Sequence, residues 1–390
     1  MRYIHSIVIL TFGVWSFCQC ESTPKSDKPI VKNEESTEDE ILSEALKKIK
    51  LPEGFEISLY SDNVPNARSM TLSPKGILYI GTRQDDKVYA LEDTNGDHVA
   101  DKKYIIAEDM NTPNGVAFND GDLYVSEINK IWKFVDVESN LNKVKKPVLI
   151  SDNFPSDKHH GWKYIAFGPD GKLYVPVGAP CNICESKKPV YATITRMNKD
   201  GSEFEIFANG IRNTVGFTWH PETKEMWFTD NGRDMLGDNI PPCELNHAPT
   251  AGLHFGYPYC HGGDIADPTH GGEYSCTDFV APAQKLGPHV APLGLKFYTG
   301  DMFPEEYRND IFIAEHGSWN RSNKIGYRIM RIKMVDGKAA GYEPFVYGWL
   351  DEKEQEAFGR PVDVLIMPDG AMLVSDDKAG VIYRIIYSAN

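Results

Sequence analysis

The sequence contains no apolar run long enough to cross a bilayer. The N-terminal one, residues 7–17, falls well short of the about 20 residues that a spanning helix needs. Positive charge is in deficit: 41 Lys and Arg stand against 56 Asp and Glu, for a net charge of −15. That balance argues against a protein that grips a nucleic-acid backbone through surplus cations. The GxSxG, Walker A, GxGxxG and HExxH patterns are all missing. Their absence argues against hydrolase-elbow, ATP-dependent and nicotinamide-dependent chemistry. Long stretches of period 3.6 are also lacking, apart from a charged helix-like piece, "EDEILSEALKKIK", ahead of residue 51.

The N-terminus does carry an export signature. One Arg precedes the apolar run, and Cys18 and Cys20 close it, which fits a signal-peptide core over residues 1–20. Cys20 is followed by a polar, charged tether, so residues 21–50 read as tether plus helix-like segment. A cysteine in that place suggests lipid anchoring through Cys20. A plain secretory signal is the alternative, since Phe17, Cys18 and Gln19 make a poor lipobox. Both place the chain outside the cytoplasm, in the periplasm or anchored facing it. Five cysteines remain: Cys181, Cys184, Cys243, Cys260 and Cys276. An exported chain can form disulfides. "CNIC" could make a short bridge and Cys260 with Cys276 another, but the odd number leaves one unpaired and spacing does not fix the pairing. "CNICE" lacks the His of a haem-attachment motif.

From about residue 51 the chain turns to short alternating apolar segments broken by Gly, Pro, Asn and Asp, an all-β texture. One unit returns six times, as in "SMTLSPKGILYIGT", "YIAFGPDGKLYVPVG" and "DVLIMPDGAMLVSD": an apolar strand, a turn, and a second apolar strand. The second strands begin near Leu78, Leu123, Leu173, Met226, Ile311 and Met372, at spacings of 45, 50, 53, 85 and 61 residues. Propeller blades repeat at about 40–50 residues. The spacing predicts a six-bladed β-propeller of four-stranded antiparallel blades over residues 51–390, with insertions in blades four and five. "GFEISLYSD", ahead of the first unit, can supply the outer strand that closes the ring with the last blade.

That topology puts the residue leading each first strand, and the residue trailing each second strand, on one face near the axis. The leading residues are Arg68, Asn114, His160, Arg212–Asn213, His289 and Arg360. The trailing ones include Arg83, Glu127, Gly178, Asn231–Gly232, His316 and Asp376. A ring of arginines and histidines on an acidic protein implies an anionic small ligand, since Arg grips carboxylates through paired hydrogen bonds. "TDNGRDMLGDN" offers Asn231, Gly232 and several oxygens suited to Ca²⁺. "AEHGSWNRS" offers His316, the flat face of Trp319 and the cation of Arg321. "EDTNGDHVADKK" resembles a calcium loop through Asp93, Asn95, Asp97 and Asp101. It has His98 where such loops need Gly and no closing Glu, and reads better as a turn between strands.

Taken in order, a His before "YIAFGPDGKLYVPVG", "RN" before "GFTWHP", "DNG", "GYPYCHGG", "HVAPLG", "HGSWNR" and "GRPVDVL" resemble the soluble glucose/sorbosone dehydrogenase family. Its members are quinoproteins that use pyrroloquinoline quinone (PQQ) and calcium on a six-bladed propeller. "GAPCNIC" and "HGSWNR" lie nearer the sorbosone-like branch. The resemblance runs from about residue 51 to the C-terminus. It implies a dehydrogenase that oxidises a sugar or sugar-derived aldehyde and passes the electrons to an unidentified acceptor. It implies that His160, eight residues before Gly168, is the general base, with His159 outside that role. Arg212 and Asn213 match the pair beside the quinone oxygens. Gly232 and Arg233 match positions whose backbone carbonyls hold Ca²⁺, with Asn231 beside them. Arg360 matches a contact to a cofactor carboxylate. A second arginine of that segment falls on Val362 here, and a lysine of the fifth blade has no counterpart, leaving Arg321 or Lys324 in its region. With Arg68, His289, His316 and Trp319 from the ring, these residues form the expected cofactor site. Two other functions use the same scaffold: a calcium-dependent lactonase or esterase, which wants acidic and Asn ligands on the axis, and a non-catalytic propeller that binds glycans or partners.

Overall fold

The structure is a computed structural model that describes residues 38–388. The apolar run, Cys20 and most of the polar tether lie outside those residues. A helix over Glu38–Leu46 opens the described chain. Leu42 and Leu46 pack against the core between blades five and six. Lys50 then exchanges two backbone hydrogen bonds with Tyr347, at 2.7 and 3.1 Å, and so ties the segment ahead of the first blade to the outer strand of blade five.

Six four-stranded antiparallel sheets follow around one axis. Their second strands start at Leu78, Asp122, Leu173, Met226, Ile311 and Met372, so the repeat read from the sequence holds to within one residue. First strands of neighbouring blades lie against one another around the axis. Second strands such as Leu78–Thr82 are buried along their whole length, which is why they read as continuous apolar runs. Outer strands such as Lys102–Ala107 are largely exposed and charged.

The hydrophobic core is divided into six wedges, one between each pair of adjacent blades. Blade six is completed from the other end of the chain: Phe55–Ser61 pairs antiparallel with Val381–Tyr387, with Phe55 opposite Tyr387 and Leu59 opposite Tyr383. Phe55 meets the rings of Phe303, Tyr307, Phe345 and Tyr387 edge-on. The insertion in blade four lies before its last strand and holds the hairpin of Cys260–His261 with Ile265–Ala266. Two disulfides are present, Cys181–Cys184 and Cys260–Cys276, and Cys243 is free and buried. In the loop at residues 93–101 the acidic side chains accept from the loop's own amides, as Asp93 does from Gly96 and His98, the pattern of a turn.

Candidate active site

The leading and trailing ends converge on a cavity of about 550 Å³ at one end of the axis. Blade one contributes Arg68 and Arg83, and the segment ahead of blade three contributes Lys158, His159, His160 and Trp162. Blade four contributes Arg212, Asn213, Asn231 and Gly232, then Asp234 from the loop that follows, Cys243 from its third strand Pro242–Ala248 and His289 from just after its last strand. Blades five and six add His316, Trp319 and Arg360. Val215, Leu293, Val362 and Trp162 pack into a small apolar cluster at this end of the axis. Val362, where the resemblance implies a second arginine, is therefore part of the packing here. Five cationic side chains and one carboxylate, Asp234, line the cavity of a chain whose net charge is −15. A larger groove of about 1140 Å³ lies along blade five and the Lys47–Lys50 segment, away from these converging strand ends.

His160 is buried and adopts a left-handed backbone, φ 50°. A side chain at Gly178 would come within 2.6 Å of the His160 Cβ, so the end of the second strand in blade three must be glycine for the histidine to fit. The ring Nδ1 lies 2.9 Å from the Ala179 carbonyl. A carbonyl only accepts, so Nδ1 carries the proton and the neutral ring leaves Nε2 as its lone-pair nitrogen. Burial, with the positive charge of Arg212 beside it, depresses its pKa to about 2. His159 is exposed and stacks loosely on it, ring centres 4.0 Å apart.

The arginines differ in how much of their hydrogen-bonding capacity is already used. Arg212 is clamped: Nε donates to the Asn182 carbonyl at 2.9 Å, Nη1 to the Asn231 carbonyl at 3.2 Å, and Nη2 to Asn182 Oδ1 and Asp234 Oδ2, both at 2.9 Å. Arg68 donates to Asn114 Oδ1 and to Asp377 Oδ2, each at 2.9 Å. Asp377 Oδ1 in turn faces His316 Nε2 at 2.8 Å, and its carboxyl is held well below the usual range despite burial. Burial brings His316 down to about 4. Arg360 donates to the carbonyls of His316 and Gly317, both at 2.9 Å. Arg83 has no hydrogen-bond or ion-pair partner among the described residues. Its guanidinium lies 4.0 Å from the Trp162 ring centre, a cation–π contact. Burial and the nearby Arg68 lower its pKa to about 10, so it remains charged at neutral pH.

Asp230 shapes the fourth strand pair by accepting the amides of Arg212 and Asn213 at 2.9 and 2.7 Å. Burial raises its pKa. Asn231 donates through Nδ2 to the carbonyls of Asn213 and Pro292, at 2.9 and 3.1 Å, leaving Oδ1 free to accept. His289 donates from Nε2 to the Gly237 carbonyl at 2.9 Å, and its buried Nδ1 has no partner among the described residues. Cys243 also lines the cavity, and burial pushes its thiol up to about 12, so it stays protonated. Trp319 is 67% exposed at the rim.

Three residues singled out by sequence do not bring their side chains into the cavity: Arg321, Lys324, and Arg233, whose expected role was through its backbone carbonyl. Arg321 donates to the backbone carbonyls of Asp238 and Asn323, because the loop after His316 turns it outward; Lys324 is likewise spent on Gln355. The Arg233 side chain turns away to the buried Asp267, which also faces His261 at 2.9 Å. Only the Arg233 backbone is left to serve the Gly232 loop. Sequence reasoning placed Arg83 on the axial face without assigning it a role, read Asp234 only as one of the oxygens of a calcium-suited turn, and passed over Trp162, Asn182 and Asp377. The strand repeat gives no sign of these last three, which lie in loops.

The profile of the TrAA12-like family matches residues 49–388 of the chain. An uncharacterized protein of Borreliella burgdorferi is 36% identical over 87% of this chain and 91% of its own length. Among solved structures, the calcium structure of the Trichoderma reesei carbohydrate-active enzyme of family AA12 superposes with a TM-score of 0.77, at 20% identity over 87% of this chain and 97% of that one. The holo PQQ domain of Coprinopsis cinerea pyranose dehydrogenase gives 0.72, at 18% identity over 87% and 97%.

Proposed function

The chain belongs to the TrAA12-like family, and from this we propose that it is a PQQ- and calcium-dependent dehydrogenase of a sugar or sugar-derived aldehyde. The observation that carries the reading is the cavity lining: cations gathered around one axis of an acidic protein, with the Arg83 donors unspent. PQQ is a flat tricarboxylate, and this donor set suits it. The volume lies within the range of cofactor pockets, roughly 300–1,000 Å³. The unpartnered Nδ1 of His289 adds a polar atom to the wall. Asn231 Oδ1 and the carbonyls of Gly232 and Arg233 are neutral oxygens of the kind that suit calcium.

When bound, PQQ supplies the two-electron acceptor for hydride from the substrate carbon, and calcium a Lewis acid on the quinone oxygens. His160 Nε2 takes the proton of the substrate hydroxyl, while the Ala179 carbonyl holds Nδ1–H and so fixes the ring. Arg212, immobilised by its four bonds, offers positive charge that needs no reorganisation as negative charge develops. Arg68, Arg83 and Arg360 are the carboxylate-binding side chains, with Arg83 in the part that sequence assigned to Arg321. Trp162, under the Arg83 guanidinium, and Trp319, at the rim, offer flat faces to planar rings. An acceptor outside the chain would take up the electrons.

A lactonase would need free acidic ligands on the axis. The carboxylates near it are committed: Asp377 to Arg68 and His316, Asp234 to Arg212, and Asp230 to two amides.

The test is calorimetric titration of the purified chain with PQQ in the presence of Ca²⁺, followed by dye reduction with a panel of aldoses. Saturable binding with one PQQ per chain and reduction by at least one aldose are expected. A chain that takes up no PQQ with Ca²⁺ present would overturn the reading.

A further inference from the structure

The segment that follows the second strand of blade three holds more of the site than its sequence suggests. Ala179 supplies the carbonyl that fixes His160. Three residues on, between the paired cysteines, lies Asn182. Its Oδ1 accepts from Arg212 Nη2 at 2.9 Å and from the Asp234 amide at 2.8 Å. Its carbonyl accepts from Arg212 Nε at 2.9 Å, and its Nδ2 donates to the Asp234 carbonyl at 3.1 Å. Both ends of this side chain are thus spent on Arg212 and on Asp234, which itself pairs with Arg212. Arg212 lies 30 residues further along the chain, on a different blade.

Asn182 sits in a loop without regular secondary structure, where a free asparagine would sample several rotamers. The Cys181–Cys184 bridge closes a ring around it with a sequence separation of 3. The ring is itself anchored, because the Cys184 amide donates to the Tyr257 hydroxyl at 3.1 Å. A closed ring pinned at one side leaves its central residues few conformations, so the ordering of Asn182 is settled before any ligand arrives.

We propose that Asn182 is the positioning residue for Arg212, and that the Cys181–Cys184 bridge holds Asn182 in place for that task. The proposal rests on the reading that Arg212 faces the cofactor. Asn182 itself touches neither substrate nor cofactor: it acts through the guanidinium. The Ala179 amide also donates to the Arg212 carbonyl at 2.8 Å, so base and cation are both tied to one short segment.

Three variants of the full chain test this: Asn182→Ala, Asn182→Asp and the pair Cys181→Ser with Cys184→Ser. On the cofactor-free protein, solvent exchange of the Arg212 guanidinium protons is followed by ¹⁵N NMR. PQQ affinity, with Ca²⁺ present, is read from quenching of Trp162 and Trp319, and a thermal melt monitors the fold. Asn182→Ala should speed the exchange and weaken PQQ binding about tenfold, the worth of one hydrogen bond to a charged group. Asn182→Asp keeps the accepting oxygen and should stay within about threefold of the wild type. The serine pair should move both readouts in the direction of Asn182→Ala. Should Asn182→Ala not fold, Asn182→Gln, which pushes the amide out by one methylene, carries the same expectation. Unchanged exchange and affinity in Asn182→Ala would overturn the proposal. So would a serine pair that weakens both readouts while Asn182→Ala does not. A wild-type chain that takes up no PQQ would remove the cofactor reading alone, because the exchange measurement still decides whether Asn182 positions Arg212.

Discussion

His160 combines a left-handed backbone, a buried ring and a carbonyl on Nδ1, and each constrains what can replace it. His160→Gln is expected to lose nearly all dye reduction, at least about 10²-fold as for a general base, while still binding PQQ. His159→Ala should keep most of it, because His159 is exposed; the reverse pattern would exchange the two roles. Burial also gives His160 a pH signature. The ring stays neutral down to about 2 in the folded chain but titrates near about 6.5 when unfolded. The unfolded chain therefore binds the extra proton between those values, so this residue makes stability fall as pH drops below about 6.5. Without cofactor, His160→Gln should lose less melting temperature than the wild type between about pH 7 and pH 4. An identical slope in the two proteins would mean that the ring is not held neutral. The arginines give a second comparison: Arg83→Ala should weaken PQQ binding about tenfold or more, whereas Arg321→Ala, whose guanidinium is spent on two backbone carbonyls, should leave it unchanged.

At the scale of the element, the closing strand joins the two ends of the ring. Phe55–Ser61 lies more than three hundred residues before its partner Val381–Tyr387, and its Phe55 ring is set among four aromatic rings. Phe55→Ala should cost about 3–5 kcal/mol in urea unfolding, the usual loss for a buried aromatic. A cost below about 1 kcal/mol, typical of surface changes, would show that closure does not depend on this packing. The inner strand pair of blade three carries a tighter constraint. Gly178→Ala would drive a methyl to 2.6 Å from the His160 Cβ and 2.8 Å from its carbonyl. With His160 in its proposed role as base, displacing it by even a fraction of an ångström should lower turnover about tenfold or more.

At the scale of the whole molecule, the sign of the net charge and the sign of the site oppose each other. A chain at −15 would repel the proposed anionic cofactor until the axial arginines take over at short range, and salt screens both effects over about 10 Å at 0.1 M. Raising ionic strength should therefore change the PQQ association rate several-fold, while the KM of a neutral aldose in the loaded protein stays nearly flat. A salt-independent association rate would mean that charge does not guide the cofactor in.

The sequence by itself determined the architecture. Strand, turn and strand is a local pattern, and its spacing counted the blades, placed the insertions and named the strand that closes the ring. It also put Arg68, His160, Arg212, His289, His316 and Arg360 at strand ends on one face, because alternation and blade direction are short-range properties. Tertiary structure alone decided which of those charges remain available. Arg68 is paired to Asp377, 309 residues away, and Arg212 is clamped by Asn182 and Asp234 from loops that carry no repeat. Arg83, a trailing residue given no role by the sequence, is the arginine with its donors unspent, and Arg321 is turned outward. A cation's partner is fixed by proximity in space, and these partners lie outside the strand pattern that made the fold readable.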